Sequence, residues 1–391
     1  MTSCSPSCDW DDTRTRASWR GSSNAGREAT ASVRIAISTG GGDAPGLNAV
    51  IRGVVLSALQ RGWEVLGIQR GFGGLLGDAQ VVPVTRDTVR GITHLGGTIL
   101  GTTNRGNPFE WPVKQADGST VTVDRSDEVI GTVRALDLDA LIAVGGDGTL
   151  RIGLQLAQKG LPLVGVPKTI DNDVRGTVIT FGFDTAVSTA TDAIDKLHST
   201  AESHQRVFVV EVMGRHAGWI ALNSGLAGTA DVILIPEIPF DLARVCDKIR
   251  AREVQGRHFS IVVVAEGAKP KGGEELVREQ ATPGRAARLG GVGEAVAAEI
   301  ERRTGKETRS VVLGHLQRGG SPTTFDRLLA LRFGAAAVRA VEAREFGRMV
   351  ALVPPHIVTV PLEDALQGWS GVPLDHDSVQ TARDLGISFG D

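Results

Sequence analysis

The sequence has 391 residues, more than a single hydrophobic core usually serves, so we expect two folded domains. Hydrophobic residues make up 41% and charged residues 22% of the chain, the balance of an ordinary globular protein. The net charge of −3 argues against a surface for nucleic acid or for an anionic membrane, and no apolar run is long enough to span a bilayer. The three cysteines indicate neither a disulfide framework nor a zinc site, and we expect a cytoplasmic protein.

The first part of the chain differs from the rest in composition. Residues 1–32 are rich in serine, arginine, threonine and aspartate and lack apolar periodicity. We therefore predict a disordered tail without a catalytic role. The segment has no hydrophobic region of the kind that a secretory signal requires.

Strands and helices alternate from Val33 onward. A β-branched run at 33–38 is followed by a glycine-rich turn and by a helix whose apolar stripe extends from Leu47 to Leu59. Gly62 ends this helix, and 63–68 forms the next strand. The same pattern predicts further strands at 140–144, 162–166, 207–212, 231–235, 260–265, 309–313 and 349–353, and helices at 150–158, 185–200, 242–254, 292–303 and 325–345. Repeated β-α-β units with apolar strands predict parallel sheets covered on both faces, with ligands beyond the C-terminal ends of the strands.

Three polar turns each follow a predicted strand. Residues 40–46 (GGGDAPG) lead into a helix, whose N-terminal N–H groups favour an anion. Residues 145–149 (GGDGT) let a phosphate approach the backbone, and Asp147 is an oxygen ligand suited to Mg²⁺. Residues 167–173 (PKTIDND) place two carboxylates beside a lysine and a hydroxyl.

Asp171 and Asp173 allow two interpretations. In the structural interpretation, both belong to a solvated loop with an Asx turn. The functional interpretation makes Asp171 the base that takes a proton from an attacking hydroxyl. Phosphoryl transfer needs little more from a protein than alignment and positive charge on the migrating group.

Cationic residues are concentrated in the second half of the chain. Arginine matches the fork geometry of phosphate, although each of these arginines could also be a surface salt-bridge partner. Their placement at predicted strand ends or glycine-rich turns favours anion binding for Arg206, Arg215, Arg309, His315 and Arg318.

These motifs, taken in order, resemble the phosphofructokinase family. The resemblance extends from about Val33 to about Leu385. It rests on the motifs at 41–48 (GGDAPGLN), 146–149 (GDGT), 169–173 (TIDND), 204–206 (HQR), 213–215 (MGR) and 314–322 (GHLQRGGSP).

The resemblance implies an activity and a role for each motif residue. The activity is transfer of a phosphoryl group, with Mg²⁺, to the 1-hydroxyl of fructose 6-phosphate. Asp171 is the implied general base, Thr169 contacts the reacting centre, and Arg215 stabilises charge in the transition state. Asp147 holds the metal. The implied donor site consists of Gly41, Arg105, Gly146, Asp147, Gly148, Thr149 and Lys168. The implied sugar-phosphate site consists of Thr169, Asp171, Met213, Gly214, Arg215, Glu266, His315 and Arg318, with Arg206 and Arg309 from a neighbouring subunit.

The resemblance also implies an architecture. It consists of two Rossmann-like three-layer α/β/α domains with mostly parallel sheets and an active site in the cleft between them. The donor-binding domain comprises residues 33–182 and 317–365, and the sugar-phosphate-binding domain comprises 183–316 and 366–391. The family is dimeric or tetrameric, and we expect a homotetramer.

Two donor-site residues point to different phosphoryl donors. In the family, glycine at the position of Gly148 leaves room for the α-phosphate of ATP, whereas pyrophosphate users carry aspartate there. Lysine at the position of Lys168 is typical of pyrophosphate-dependent members, and its ammonium can neutralise a phosphate leaving group. We predict ATP as the donor, because steric and charge exclusion is harder to evade than an added cation. Pyrophosphate is the alternative.

Two other interpretations remain open. The motif GGDGT also occurs in NAD kinases and lipid kinases, but those families do not need the motifs at 204–206 and 213–215. A non-catalytic regulatory subunit on the same fold usually loses the base or the metal ligand, whereas this chain keeps Asp171 and Asp147.

Overall fold

The fold is described from a computed structural model that covers residues 32–274, 277–279 and 288–391. All of the predicted tail except Ser32 therefore lies outside the described residues. Within the described residues no helix is long and apolar enough to cross a membrane.

Fifteen strands occur in the described residues. They are β1 Arg34–Thr39, β2 Glu64–Ile68, β3 Val81–Pro83, β4 Trp111–Lys114, β5 Thr120–Val123, β6 Ala140–Gly145, β7 Leu163–Pro167, β8 Val207–Val212, β9 Val232–Leu234, β10 Ser260–Ala265, β11 Val277–Glu279, β12 Arg288–Leu289, β13 Thr308–Val312, β14 Arg348–Val353 and β15 His356–Pro361.

The same part of the chain contains ten α-helices and three 3₁₀ helices. The α-helices are α1 Leu47–Leu59, α2 Ser126–Ala135, α3 Asp147–Gln158, α4 Phe183–His204, α5 Trp219–Ala227, α6 Leu242–Val254, α7 Val292–Thr304, α8 Thr324–Glu342, α9 Leu362–Ala365 and α10 Asp377–Asp384. The 3₁₀ helices are Gly71–Leu75, Pro108–Glu110 and Gly314–Arg318.

The larger sheet has seven strands in the order β15-β14-β7-β6-β1-β2-β3. Its five inner strands are parallel, and the two edge strands pair antiparallel. The register pairs Thr39 with Val144 and Gly145 with Pro167. The turns that follow β1, β6 and β7 therefore lie side by side at the C-terminal edge of the sheet.

The smaller sheet has four parallel strands in the order β13-β8-β10-β9. Its strands are rich in valine and isoleucine, which suit a sheet that is buried on both faces. The register pairs Val212 with Ala265 and Glu211 with Val312. The segments that follow β8, β10 and β13 consequently leave the sheet at the same edge.

Helices cover both faces of each sheet. In the larger sheet, alternate strand residues pack with α1 and α8 on one face and with α2, α3 and α9 on the other. In the smaller sheet, one face packs with α4, α5 and α10 and the other with α6 and α7. Helices α1 and α8 approach closely at two glycines, because a Cβ on Gly334 would lie 2.6 Å from the Val50 carbonyl oxygen.

The predicted fold class is confirmed: two three-layer α/β/α units with mostly parallel sheets. The predicted strands at 207–212 and 260–265 and the helix at 242–254 have the observed bounds. The helix predicted at 150–158 begins three residues earlier, at Asp147, so Gly148 and Thr149 belong to its first turn. The residue boundaries of the two domains remain a prediction.

Candidate active site

A cavity of about 1300 Å³ lies at the C-terminal ends of the strands. Both sheets contribute to its wall. Ten of the residues predicted to bind or react line it: Gly41, Arg105, Gly148, Thr149, Asp171, Met213, Arg215, Glu266, His315 and Arg318. The parallel topology therefore brings residues from distant parts of the sequence to one site, as expected for this fold class.

The first wall of the cavity is the turn after β1. Gly41 has φ +76°, a conformation that glycine adopts without strain. The Gly40 N–H donates to the Val144 carbonyl oxygen (2.9 Å), and the Gly41 N–H donates to the Thr103 carbonyl oxygen (3.2 Å). A Cβ on Gly40 would lie 2.7 Å from Thr149 Oγ1. The absence of that Cβ lets the turns after β1 and β6 pack against each other.

The second wall is the N-terminus of α3. Gly146 precedes the helix in an extended conformation, and no side chain caps the helix. Its first N–H groups and the helix dipole therefore favour an anion. The Asp147 carboxylate accepts from Arg151 Nε at 2.8 Å. Gly148 has open space where a Cβ would be, with no atom within 4 Å.

Lys168 lies behind these turns. It is only 3% exposed, and its ammonium donates to the Gly42 carbonyl oxygen. Burial, followed by the charge of Arg318, lowers the pKa of Lys168 to about 7, while Asp43, Asp171 and Asp173 act in the opposite direction. Lys168 therefore places a buried amine against the backbone of the turn after β1, and it does not belong to the cavity wall.

The carboxylates predicted to be functional follow β7. The Asp171 N–H donates to Thr169 Oγ1 at 3.1 Å, and the loop turns at Asn172, whose φ is +52°. The Asn172 amide oxygen accepts the Thr180 N–H at 2.9 Å, which fixes the turn. Asp171 Oδ1 and Asp173 Oδ1 are buried and have no hydrogen-bond partner. Such orphaned oxygens are costly unless a ligand or a proton satisfies them.

Both carboxylates hold protons more tightly than ordinary aspartates. Burial raises the pKa of Asp171, against the lowering effects of Arg318, His216 and Lys168. Burial, followed by the charge of Asp171, raises the pKa of Asp173 to about 7. The raised pKa makes each carboxylate a stronger proton acceptor than an ordinary aspartate.

The opposite wall comes from the smaller sheet. Gly214 has φ +137°, and a Cβ there would lie 2.8 Å from the Ala217 carbonyl oxygen. Gly267 donates its N–H to the Gly214 carbonyl oxygen at 3.1 Å, which joins the segments after β8 and β10. Burial, followed by Asp171 and Glu211, raises the pKa of Glu266 to about 7.

Arg318 and His315 lie on the 3₁₀ helix that follows β13. Arg318 Nη1 donates to the Asp43 carbonyl oxygen at 3.2 Å, and a Cβ on Gly42 would lie 2.7 Å from the same nitrogen. His315 is exposed on the same helix. This helix therefore brings a guanidinium from the segment after β13 to the turn after β1.

Arg206 and Arg309 lie outside the cavity. They stand at the N-terminal ends of β8 and β13, where Glu307 pairs with both, at 2.6 Å from Arg206. Arg206 and Met213 are separated by the whole length of β8, about 23 Å at about 3.3 Å per residue. Neither arginine reaches the cavity of its own chain.

Several cavity residues were not among the predicted site residues, although some of them are neighbours of the predicted Arg105. The loop between β3 and β4 supplies Thr103, Asn104 and Asn107, and α3 supplies Arg151 and Gln155. Arg151 follows Asp147 by four residues on a helix, and this spacing could have indicated the ion pair. The loop residues reach the site only through tertiary packing.

The residues present fit a magnesium ion that is shared with a phosphate ligand. Among the described residues, no three His, Cys, Asp or Glu side chains group as a metal site. Magnesium bound to substrate phosphates needs only one or two protein carboxylates. The charges of Asp147 and Asp171 both raise the pKa of Asp173, so the carboxylates repel one another and a cation would relieve that repulsion.

The fold and the site together define an α/β protein with a polar, arginine-lined cleft between two mostly parallel sheets. The family model Phosphofructokinase matches residues 34–341. An ATP-dependent 6-phosphofructokinase from Chloroflexus aggregans is 55% identical over 92% of this chain and 98% of its own length. A pyrophosphate–fructose 6-phosphate 1-phosphotransferase from Streptomyces coelicolor is 51% identical over 85% of this chain and 94% of its own length.

A solved phosphofructokinase structure has a similar fold. The crystal structure of Pichia pastoris phosphofructokinase in the T-state has a TM-score of 0.74 and 32% identity over 87% of this chain. The match spans 36% of the longer yeast chain. The chain belongs to the phosphofructokinase family.

Proposed function

We propose that the chain is a 6-phosphofructokinase that transfers a phosphoryl group from ATP to the 1-hydroxyl of fructose 6-phosphate, giving fructose 1,6-bisphosphate in glycolysis. One observation carries the proposal. The buried, unpartnered Oδ1 of Asp171 belongs to a cavity whose walls are two phosphate-binding turns on one side and Arg215 and Arg318 on the other. The turns suit the phosphates of a polyphosphate donor, and the arginines suit a sugar phosphate.

In the proposed reaction, Asp171 accepts the proton of the sugar 1-hydroxyl. The hydroxyl oxygen forms a bond to the terminal phosphorus as the bond from that phosphorus to the bridging oxygen breaks, and ADP leaves. The raised pKa of Asp171 makes it a stronger base than an ordinary aspartate. Thr169 Oγ1 accepts the Asp171 N–H and so orients the base, while Arg215 supplies positive charge.

Each phosphate has a proposed binding region. The donor phosphates bind the turn at Gly41 and the N-terminus of α3 around Gly146, Gly148 and Thr149, with Arg105 beside them. The sugar binds Met213, Gly214 and Glu266, and its 6-phosphate binds His315 and Arg318. Asp147 would hold Mg²⁺, which supplies charge neutralisation for the transferring phosphate.

The choice of ATP depends on Gly148. The space beside its Cα is open, so an α-phosphate meets neither a side chain nor a negative charge there. Lys168 favours the alternative of pyrophosphate, and the Streptomyces coelicolor relative carries that donor in its name. In this structure, however, the Lys168 ammonium is engaged by the Gly42 carbonyl oxygen. We therefore retain ATP as the donor.

The site is complete only in an oligomer under this proposal. Arg206 and Arg309 stand at the edge of the smaller sheet that faces away from their own cavity, so we assign them to the 6-phosphate site of a neighbouring subunit. Glu307 holds the two side chains together, which suits a pair that acts on one phosphate. A homotetramer is the assembly that we propose.

The direct test measures formation of fructose 1,6-bisphosphate with an aldolase-coupled assay. Mg-ATP and Mg-pyrophosphate are supplied in parallel at equal concentration. We expect turnover with ATP that exceeds turnover with pyrophosphate. The opposite ratio would establish the pyrophosphate alternative, and no turnover with either donor would contradict the proposed function.

A further inference from the structure

A short segment near the C-terminus, residues 367–372, passes from the larger sheet's core to the smaller sheet's core. The residues at its two ends are buried in different cores. Leu366 packs in the cluster of the larger sheet, and Val372 packs in the cluster of the smaller sheet. We call residues 367–372 the crossing segment, since the chain passes there from one core to the other.

The crossing segment contacts the loop that carries the proposed base. The Ser370 N–H donates to the Asp173 carbonyl oxygen at 3.0 Å. Arg175 Nη1 donates to the Gln367 carbonyl oxygen at 2.7 Å. The segment therefore contacts the Asp171 loop at two residues C-terminal to the base, Asp173 and Arg175.

The same segment contacts the loop that carries Arg215. The Trp369 ring stacks on the imidazole of His216, with centroids 4.4 Å apart and an interplanar angle of 25°. Trp219 Nε1 donates to the Ser370 carbonyl oxygen at 2.8 Å. Both contacts lie on the C-terminal side of Arg215, so a movement of the Arg215 loop away from the segment would break them.

The half-buried carboxylate of Glu237 contacts both the crossing segment and the Arg215 loop. Glu237 Oε1 accepts the Val372 N–H at 2.7 Å and the Gly218 N–H at 2.9 Å. Gly218 immediately precedes α5, at the end of the Arg215 loop. One carboxylate therefore fastens both the crossing segment and that loop. A Cβ on Gly371 would lie 3.2 Å from Glu237 Oε1, which explains a small residue there.

We propose that the crossing segment sets the position of the base loop relative to the Arg215 loop, and that Trp369 is a positioning residue for the reaction through its stack on His216. This inference rests on the proposed function, because it assigns Asp171 and Arg215 to the reacting centre. Displacement of catalytic groups by about 1 Å costs up to about a hundredfold in rate. Because 46% of its surface is exposed, Trp369 is not a core residue, and its truncation should leave the fold intact.

The test compares Trp369→Ala and Trp369→Phe with wild type in the full-length protein. Trp63→Ala is the matched control, since Trp63 is a partly buried tryptophan at the N-terminal end of β2, at the opposite edge of the larger sheet from the cavity. We expect Trp369→Ala to lower kcat by about tenfold or more, with KM for fructose 6-phosphate within about twofold of wild type. Trp369→Phe should restore most of kcat, because its ring still stacks.

A second measurement does not depend on activity. Hydrogen–deuterium exchange of the free protein should become faster in peptides covering 169–175 and 213–219 in Trp369→Ala and remain unchanged in α1. Unchanged exchange in both peptides would overturn the inference, as would a kcat loss no larger than that of Trp63→Ala. If wild type transfers no phosphoryl group, the proposed function fails, and the exchange measurement alone decides whether the crossing segment couples the two loops.

Discussion

Arg318 Nη1 donates to the Asp43 carbonyl oxygen at 3.2 Å, and this bond joins the 3₁₀ helix that follows β13 to the turn that follows β1. The contact depends on glycine at position 42. A Cβ there would lie 2.7 Å from Arg318 Nη1 and would obstruct the guanidinium. The guanidinium thus stands between the proposed sites for the two phosphate-bearing ligands.

The first prediction concerns Arg318→Ala. We expect KM for fructose 6-phosphate to rise by about 10- to 100-fold, because a charge-assisted bond to a phosphate contributes about 1.5–3 kcal/mol. Steady-state kinetics at saturating ATP measures the effect. Arg339→Ala, an exposed arginine on α8 outside the cavity, is the control and should keep the wild-type KM. An unchanged KM in Arg318→Ala would contradict its assignment to the 6-phosphate.

The second prediction concerns the donor. Gly148→Asp should lower kcat/KM for ATP by more than about a hundredfold, since the new carboxylate occupies the space proposed for the α-phosphate and repels it. Pyrophosphate use should be less affected.

The loss cannot be attributed to misfolding, because an aspartate in the first turn of α3 favours the helix. Gly131→Asp is the matched control. Gly131 lies in α2, where a Cβ also meets no atom within 4 Å, and this variant should keep wild-type activity. If Gly148→Asp uses ATP as well as wild type does, the argument for ATP from Gly148 is wrong.

The third prediction tests the shared site. Asp171→Ala and Arg309→Ala should each be inactive or nearly so, for different reasons. If Arg309 acts across a subunit interface, a mixed oligomer contains some sites in which both residues are intact. Unfolding and refolding the two variants together should therefore recover activity that neither has alone. No recovery, although mixed oligomers form by native mass spectrometry, would contradict the assignment of Arg309 to the site of a neighbouring subunit.

The fourth prediction concerns stability and pH. Asp173 has a pKa raised to about 7, first by burial and then by Asp171. Between about pH 4 and 7, Asp173 is protonated in the folded state and ionised in the unfolded chain. Its stabilising contribution to the free energy of unfolding is therefore fully present below about pH 4, decreases as the pH rises, and is lost above about pH 7. Asp173→Asn lacks the titrating group. The unfolding free energy of wild type minus that of Asp173→Asn should fall from pH 5 to pH 8, measured by urea denaturation. Parallel pH dependences of the two proteins would show that Asp173 titrates in its ordinary range.

Much of the fold could be predicted from the sequence because buried parallel strands are continuous apolar runs. The strands at Val207–Val212 and Ser260–Ala265 are examples. The antiparallel edge strand β15 and the exposed hairpin of β4 and β5 escaped prediction, since partly exposed strands carry a weak pattern. Helix α5 was not predicted either. It is largely apolar on all sides, so it lacks the periodic apolar stripe that indicates a helix, and it begins only four residues after Arg215.

The site was predicted to the extent that its residues lie in motifs. Asp171, Arg215 and Arg318 come from distant segments, yet the parallel sheets bring all three to one cavity. Lys168 was predicted as a donor ligand, and its burial behind the turn after β1 could not be inferred from a linear pattern. The contacts of Trp369 and Glu237 could not be predicted either, because they depend on how the C-terminal segment passes between the two cores.

The central claim is that Asp171 is the base. Asp171→Asn keeps the size and shape of the side chain and removes its ability to accept the proton. The most direct measurement pairs ATP-dependent turnover of this variant with the affinity of the variant for fructose 6-phosphate by calorimetry. We predict a loss of turnover of about 10²- to 10⁴-fold with an affinity close to that of wild type. Turnover equal to wild type would contradict the account.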